Sequence, residues 1–135
     1  MIANKETSTA AHGSEPGTAV TLTVGSTVIR ATLNNTAAAK HLKDRLPFKI
    51  SLSRSEVDYC GTVAGSFKYA SEDLHNGWRN GNIDYVPSGN WFAIFFGGEN
   101  DSAPGFITMG QIDKADLPIV SRLGGAIEVT VALAK

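Results

Sequence analysis

The stretch that decides the fold is Trp91-Phe92-Ala93-Ile94-Phe95-Phe96, which is apolar at every position. A short, continuous apolar run between turn signals is typical of a strand that is buried on both faces. Here the turn signals are Pro87-Ser88-Gly89-Asn90 before the run and Gly97-Gly98 after it. We therefore predict a central strand with one face in the core and the other covered by a helix, a loop or a ligand groove.

Alternating runs on both sides of this stretch predict further strands. The most regular is 127–133, in which Ile127, Val129, Val131 and Leu133 alternate with Glu128, Thr130 and Ala132. Similar runs lie at about 20–24, 28–33, 48–53, 57–63, 83–86 and 107–112. Residues 64–82 are the least regular part and predict a long surface excursion.

Two segments predict short helices. Residues 36–45 contain strong helix formers behind Asn34-Asn35 as a cap, and Pro47 ends the helix. A second helix is predicted after Asp116 as its cap. The result is a mainly β fold of about eight strands, a sandwich or a barrel. We predict a closed barrel, since closure removes exposed strand edges and its two open ends suit two short capping helices.

Composition narrows the possible partners. The chain has 135 residues, enough for one domain, and its 12 Lys plus Arg against 13 Asp plus Glu leave a net charge of −1. That balance predicts no nucleic-acid partner and no anionic membrane surface, both of which attract clustered Lys and Arg. No stretch reaches the roughly 20 apolar residues that a membrane span needs. The single cysteine, Cys60, excludes an intramolecular disulfide and a cysteine-based zinc site.

The N-terminal segment differs from the rest of the chain. Residues 1–18 are rich in Thr, Ser, Ala and Glu, so we predict a flexible tail at 1–18 and a barrel domain at 19–135. The tail has no apolar core of the kind that a secretory signal contains, which predicts a cytoplasmic protein.

Several motifs, in their order along residues 20–134, resemble the cyclophilin fold. Residues 92–97 resemble its central Phe-Phe strand, 108–113 a later strand, 116–124 the following short helix and 127–133 the closing strand. A family of small bacterial and archaeal cyclophilin-like proteins of uncharacterised function resembles the chain more closely. The shared motifs are Leu33-Asn34-Asn35-Thr36, Leu46-Pro47-Phe48, Asn82-Ile83-Asp84-Tyr85, Phe95-Phe96-Gly97 and Met109-Gly110-Gln111-Ile112.

The resemblance does not extend to the motifs of cyclophilin-type prolyl isomerases. Those enzymes carry a Phe-His pair followed by a catalytic Arg, and then a Phe-Met-x-Gln-Gly-Gly-Asp segment. The corresponding region, 48–67, contains neither motif, and Arg54 is its only arginine. We therefore predict a protein without prolyl isomerase activity, with a divergent isomerase as the alternative.

Six residues are candidates for ligand binding. Glu56 and Tyr59 lie where the related small proteins also place an acidic residue and an aromatic one, and Arg54 precedes them. Tyr85, Phe96 and Met109 are predicted to line a groove, because the cyclophilin-type groove runs over the equivalent strands.

Other chemistry-bearing residues favour structural roles. Cys60 is expected to be a structural cysteine in a strand rather than a nucleophile. His12, His41 and His75 have no metal-ligand spacing, so we predict no metal and no cofactor.

Three functions remain open at this point. The first is a binding module for a small molecule or an extended peptide, and the second is the divergent isomerase. The third is an accessory or oligomeric interaction protein, with a homo-oligomer as one form. Fold resemblance alone does not decide among them.

Overall fold

A computed structural model describes residues 17–135, which form a closed antiparallel barrel of eight strands with two short helices. Around the barrel the strands follow the order β1-β2-β7-β5-β6-β4-β3-β8, and β8 pairs again with β1. The predicted mainly β barrel with two short helices is confirmed. In chain order the elements are β1 Thr18–Val24, β2 Thr27–Leu33, α1 Ala37–Asp44, β3 Phe48–Arg54, β4 Asp58–Thr62, β5 Asn82–Val86, β6 Trp91–Phe95, β7 Ile107–Ile112, α2 Leu117–Val120 and β8 Ala126–Leu133.

The predicted tail lies almost entirely outside the described residues. Within them, Thr18 already belongs to β1 and pairs with Leu33 of β2. None of the described helices is long and apolar enough to cross a membrane.

The interior of the barrel holds the main core. Alternate residues of the strands point inward, as the period of two requires, and the largest fully buried ones include Leu22, Leu33 and Phe92. The apolar faces of the helices join the same cluster through Ala38, Ala39, Leu42 and Val120. The strands and both helices thus share one continuous core.

The helix caps differ in detail from the predicted ones. Thr36 is the cap of α1, and its hydroxyl accepts from the Ala39 N–H, while Asn34 supports Thr36 through its side-chain oxygen. The Asp116 carboxylate makes no cap hydrogen bond to α2. It accepts instead from the backbone N–H and the guanidinium of Arg30 on β2, which lowers the pKa of Asp116 to about 2. A charge-assisted bidentate pair outweighs a local cap.

The central strand β6 is buried on both faces over most of its length, as predicted. Phe92 and Ile94 point into the barrel, whereas Ala93 and Phe95 belong to a second, smaller cluster on the outside. The chain segments 64–81 and 97–106 supply the cover over this outer face. They hold a single turn of 3-10 helix at Ser71–Asp73 and an isolated bridge between His75 and Phe106. This loop layer positions the candidate site.

Candidate functional site

The outer face of four neighbouring strands forms the floor of the site. Strand register places Cys60 of β4 beside Ala93 of β6, Ala93 beside Asp84 of β5, and Asp84 beside Thr108 of β7. Because side chains alternate along a strand, Asn82 and Val86 flank Asp84 on the same face, while Ile83 and Tyr85 point inward. Asp84 therefore has only uncharged immediate neighbours on this floor, whose second carboxyl group is Asp58 of β4.

Trp78 of the loop layer closes over this floor. Its ring stacks on Phe95 at 4.4 Å between centroids and meets Phe106 edge-on at 5.3 Å. Its indole N–H donates to the Gly97 carbonyl at 2.8 Å. These contacts hold an amphipathic side chain of the loop against the barrel wall.

Two cavities open on the outer face, one on each side of Trp78. The first, about 460 Å³, is polar and is lined by His75, Asn76, Gly77, Trp78, Arg79, Asn82, Glu99, Asn100, Asp101 and Thr108. The second, about 410 Å³, is mostly apolar and is lined by Val57, Asp58, Cys60, Trp78, Val86, Ser88, Trp91, Ala93, Phe95, Pro104 and Phe106. We call them the polar pocket and the apolar groove. Both volumes lie within the range of small-molecule sites.

The wall of the polar pocket carries a hydrogen-bonded group of side chains. The Asn82 amide donates to the Thr108 hydroxyl oxygen at 3.2 Å, and His75 Nε2 lies 2.9 Å from the same oxygen. Which of His75 and Thr108 donates depends on the imidazole tautomer. Together these groups present both donors and acceptors to the pocket.

Asp84 lies at the junction of the two cavities. Its neighbours Asn82 and Thr108 line the polar pocket, and its neighbours Val86 and Ala93 line the apolar groove. The residue is 0% exposed, and neither carboxyl oxygen has a hydrogen-bond partner among the described residues. Burial raises its pKa to about 7, although the nearby Thr108 side chain acts in the opposite direction. A carboxyl buried in this way is costly unless something satisfies it.

Three of the residues predicted from sequence come together elsewhere, around the C-terminal end of β3. The Arg54 guanidinium lies 4.6 Å from the Phe96 ring centroid and donates to the Tyr59 hydroxyl at 2.7 Å. Arg54 also donates to the Ser121 carbonyl at 2.7 Å, and the Tyr59 hydroxyl donates to the Leu123 carbonyl at 2.6 Å. These bonds tie β3 and β4 to the segment after α2, which gives the cluster a structural use.

The other three predicted residues do not join that cluster. Glu56 lies exposed in the turn between β3 and β4. Tyr85 and Met109 are 2% and 0% exposed and belong to the interior core, where the Tyr85 hydroxyl donates to Asn90 Oδ1 at 2.6 Å. A ligand on the outer face would reach neither side chain without displacing the barrel wall.

The site therefore rests mainly on residues that sequence reasoning did not select. A usable signal existed in Asn82-Ile83-Asp84-Tyr85, because two polar residues alternating with two apolar ones predict a polar outer face on that strand. His75 and Trp78 had no such signal, since their position depends on how the irregular segment 64–81 folds back.

Cys60 lies in β4 on the wall of the apolar groove, half-buried. Burial, with a smaller effect from the nearby Asp58 carboxylate, raises the thiol pKa to about 11. Because the thiolate is the reactive species, this environment disfavours a nucleophilic role. No group of three or more His, Cys, Asp or Glu side chains among residues 17–135 could hold a metal ion.

We expect Cys60 to react slowly with iodoacetamide at neutral pH. A thiol whose pKa has risen from 9.0 to about 11 carries about 100-fold less thiolate, and burial slows the reaction further. The rate, followed by mass spectrometry, should rise steeply with pH and reach that of a simple thiol in urea. Asp58→Asn should accelerate alkylation of the folded protein, because it removes a negative charge. Equal rates for folded and unfolded protein at neutral pH would contradict this expectation.

Comparison with known proteins gives two findings. The sequence matches the model of the Cyclophilin-like family over residues 22–132. The fold is similar to the solution structure of a hypothetical protein from Archaeoglobus fulgidus, with a TM-score of 0.63 and 17% identity over 90% of this chain and 99% of that chain. At this identity the likeness concerns the fold alone. No curated protein matches the sequence.

Proposed function

Since the chain belongs to the Cyclophilin-like family, whose fold does not by itself define an activity, we propose that this protein is a binding protein for a small molecule. Its site is the cleft made of the polar pocket and the apolar groove on the outer face of β4, β6, β5 and β7. It binds its ligand without catalysing prolyl isomerisation.

One observation carries the proposal: two cavities of ligand size both have Trp78 in their lining, and strand neighbours of a buried carboxyl group without a hydrogen-bond partner among the described residues line each of them. Small-molecule sites are typically concave, largely apolar and equipped with a few placed polar groups. The groove supplies apolar surface, and the side chains of His75, Thr108 and Asn82 supply hydrogen-bonding groups that can orient the ligand.

A small molecule fits this surface better than an extended peptide. An extended peptide is often bound by pairing with an exposed sheet edge. The described strands close into a barrel in which each strand pairs on both sides, so they offer no free edge. We therefore propose a small molecule as the ligand, and the test below also includes peptides so that peptide binding would be detected.

Arg54 supports the absence of isomerase activity. An isomerase arginine must donate to the prolyl amide of its substrate, whereas Arg54 donates to Tyr59 and to the Ser121 carbonyl and does not line either cavity. We expect no acceleration in a protease-coupled proline assay. Acceleration that Arg54→Ala abolishes would support the divergent isomerase instead.

The two tryptophans provide the test of the binding site. Trp91→Phe leaves Trp78, which borders both cavities, as the single tryptophan; Trp78→Phe leaves Trp91, which borders the groove alone. A thermal-shift screen of metabolites and proline-containing peptides selects candidates, since ligands that bind the folded state stabilise it. Each candidate is then titrated into both variants.

We expect a true ligand to change the fluorescence of Trp78 and to shift its indole N–H resonance in a ¹H–¹⁵N spectrum. It should also perturb the amides of residues 75–84 and 97–108. A ligand whose perturbations map to the Arg54–Tyr59–Phe96 cluster would place the site there and contradict the proposal. Light scattering on the same samples measures the molar mass and so distinguishes the third possibility, an oligomeric interaction protein, from a monomeric binding protein.

A further inference from the structure

The buried acceptor Asp84, which lies behind the residues that line the cleft, restricts the chemistry of a ligand. Neither carboxyl oxygen of Asp84 has a donor in hydrogen-bond geometry among the described residues, and the nearby Thr108 side chain only partly offsets the effect of burial on its pKa. Unmade hydrogen bonds to buried polar groups are expensive, and those to charged groups are the most expensive. A ligand that brings N–H donors to this point would remove that cost.

The charges around the polar pocket also favour a ligand that carries a positive charge. Glu99 and Asp101 stand at its rim as exposed carboxylates, and Asp84 lies behind its wall. Arg79 is the one Lys or Arg side chain among the residues that line it. Two rim carboxylates and Asp84 against one guanidinium make the local field negative, which attracts cations and repels anions.

An organic cation fits these features better than a metal ion. A divalent metal needs several converging ligands, and residues 17–135 contain no such group of His, Cys, Asp or Glu. The hydroxyl and amide groups of Thr108 and Asn82 can share the N–H donors of an ammonium group with a carboxylate. The adjoining groove, lined by Val86, Phe95 and Trp91, offers an apolar body a place beside that ammonium group.

We propose that the cleft selects a small organic cation, an ammonium group carried on an apolar alkyl or aryl body. The ammonium group donates to Asp84 at the junction of the cavities, and the apolar body lies in the groove. This inference rests on the proposed small-molecule site and adds the charge and shape of its ligand. Because Asp84 is 0% exposed, the proposal requires the residues that cover it to move aside when the ligand enters.

Three probes of similar size and different charge test the inference: 2-phenylethylammonium, the neutral 2-phenylethanol and the anionic 3-phenylpropanoate. Each is titrated at pH 8 into the Trp91→Phe variant, with Trp78 fluorescence and its indole resonance as readouts. We expect the cation to bind at least about 30-fold more tightly than the neutral probe, as the loss of a buried charged hydrogen bond implies. The anion should bind most weakly.

Asp84→Asn keeps the side-chain shape and removes the charge, so it should remove most of the preference for the cation over the neutral probe, and Glu99 and Asp101 should retain a small remainder. Asp44→Asn, on an exposed position of α1, is the matched control and should leave the preference intact. Thermal melts of each variant establish that it is folded. Equal affinity for cation and neutral probe, or a preference for the anion, would overturn the cation inference and leave the binding site standing. Ligands that perturb only regions outside the cleft would overturn the proposed function as well.

Discussion

Replacing Asp84 by asparagine should make the protein much less sensitive to pH between about 4 and 7. In the folded state burial raises the Asp84 pKa to about 7, from 3.8 in the unfolded chain. Between these values the folded protein holds a proton that the unfolded chain has released. Stability therefore falls as pH rises through this window and is constant above it, the reverse of the usual behaviour of a salt-bridged carboxylate.

The size of the effect follows from the pKa difference. The two values differ by about three units, and one unit corresponds to about 1.4 kcal/mol. The contribution of Asp84 to the free energy of unfolding thus decreases by at most about 4 kcal/mol from pH 4 to above pH 7, and Asp84→Asn removes this decrease. Urea titrations of both proteins at several pH values measure the difference, in which all other titrating groups cancel.

Asp44→Asn is again the control, because that side chain is exposed in α1. Its stability should follow the wild type in parallel across the whole pH range. If the difference between Asp84→Asn and wild type stayed constant from pH 4 to pH 8, then Asp84 would not hold a proton in the folded state. Asp84 would then be charged throughout this range, and burial would not have raised its pKa.

Local patterns predicted the barrel because most of its strands are short runs in which apolar and polar residues alternate. Residues 127–133 and the doubly apolar 91–96 lie within strands of the structure, and the family match over 22–132 confirms the resemblance seen in the motifs. The wrong details of the prediction arise where a local interaction competes with one from a distant part of the sequence. Asp116 has the residue type of a helix cap, but Arg30 is 86 positions away in sequence and binds it more strongly.

The candidate site was less predictable, for a physical reason. Asn82 and Asp84 lie on a regular strand, so their shared face can be derived, but nothing local indicates that Asp84 would be left without a partner. The pocket beside it is lined in part by His75 and Trp78, which lie in the irregular segment 64–81. Tyr85 and Met109 were chosen by analogy with a groove over equivalent strands, and alternation along those strands turns them inward.

Replacing Trp78 by alanine should cause the larger loss of stability of the two tryptophan substitutions. Replacing a fully buried tryptophan by alanine lowers the free energy of unfolding of a protein by roughly 3–5 kcal/mol. Trp78 is half-buried, so we expect roughly 2–3 kcal/mol from the loss of its stacking on Phe95, its contact with Phe106 and its hydrogen bond to Gly97. Urea unfolding measures the loss.

Trp91→Ala is the matched control, because Trp91 is 46% exposed and borders only the groove. We expect it to cost under about 1 kcal/mol, as surface substitutions usually do. Trp78→Ala should also speed amide hydrogen exchange in residues 97–106, since the side chain pins the two loops to each other. Equal losses for the two variants, with unchanged exchange in 97–106, would mean that Trp78 does not hold the loop layer against the barrel. Residues other than Trp78 would then have to keep the polar pocket and the apolar groove apart.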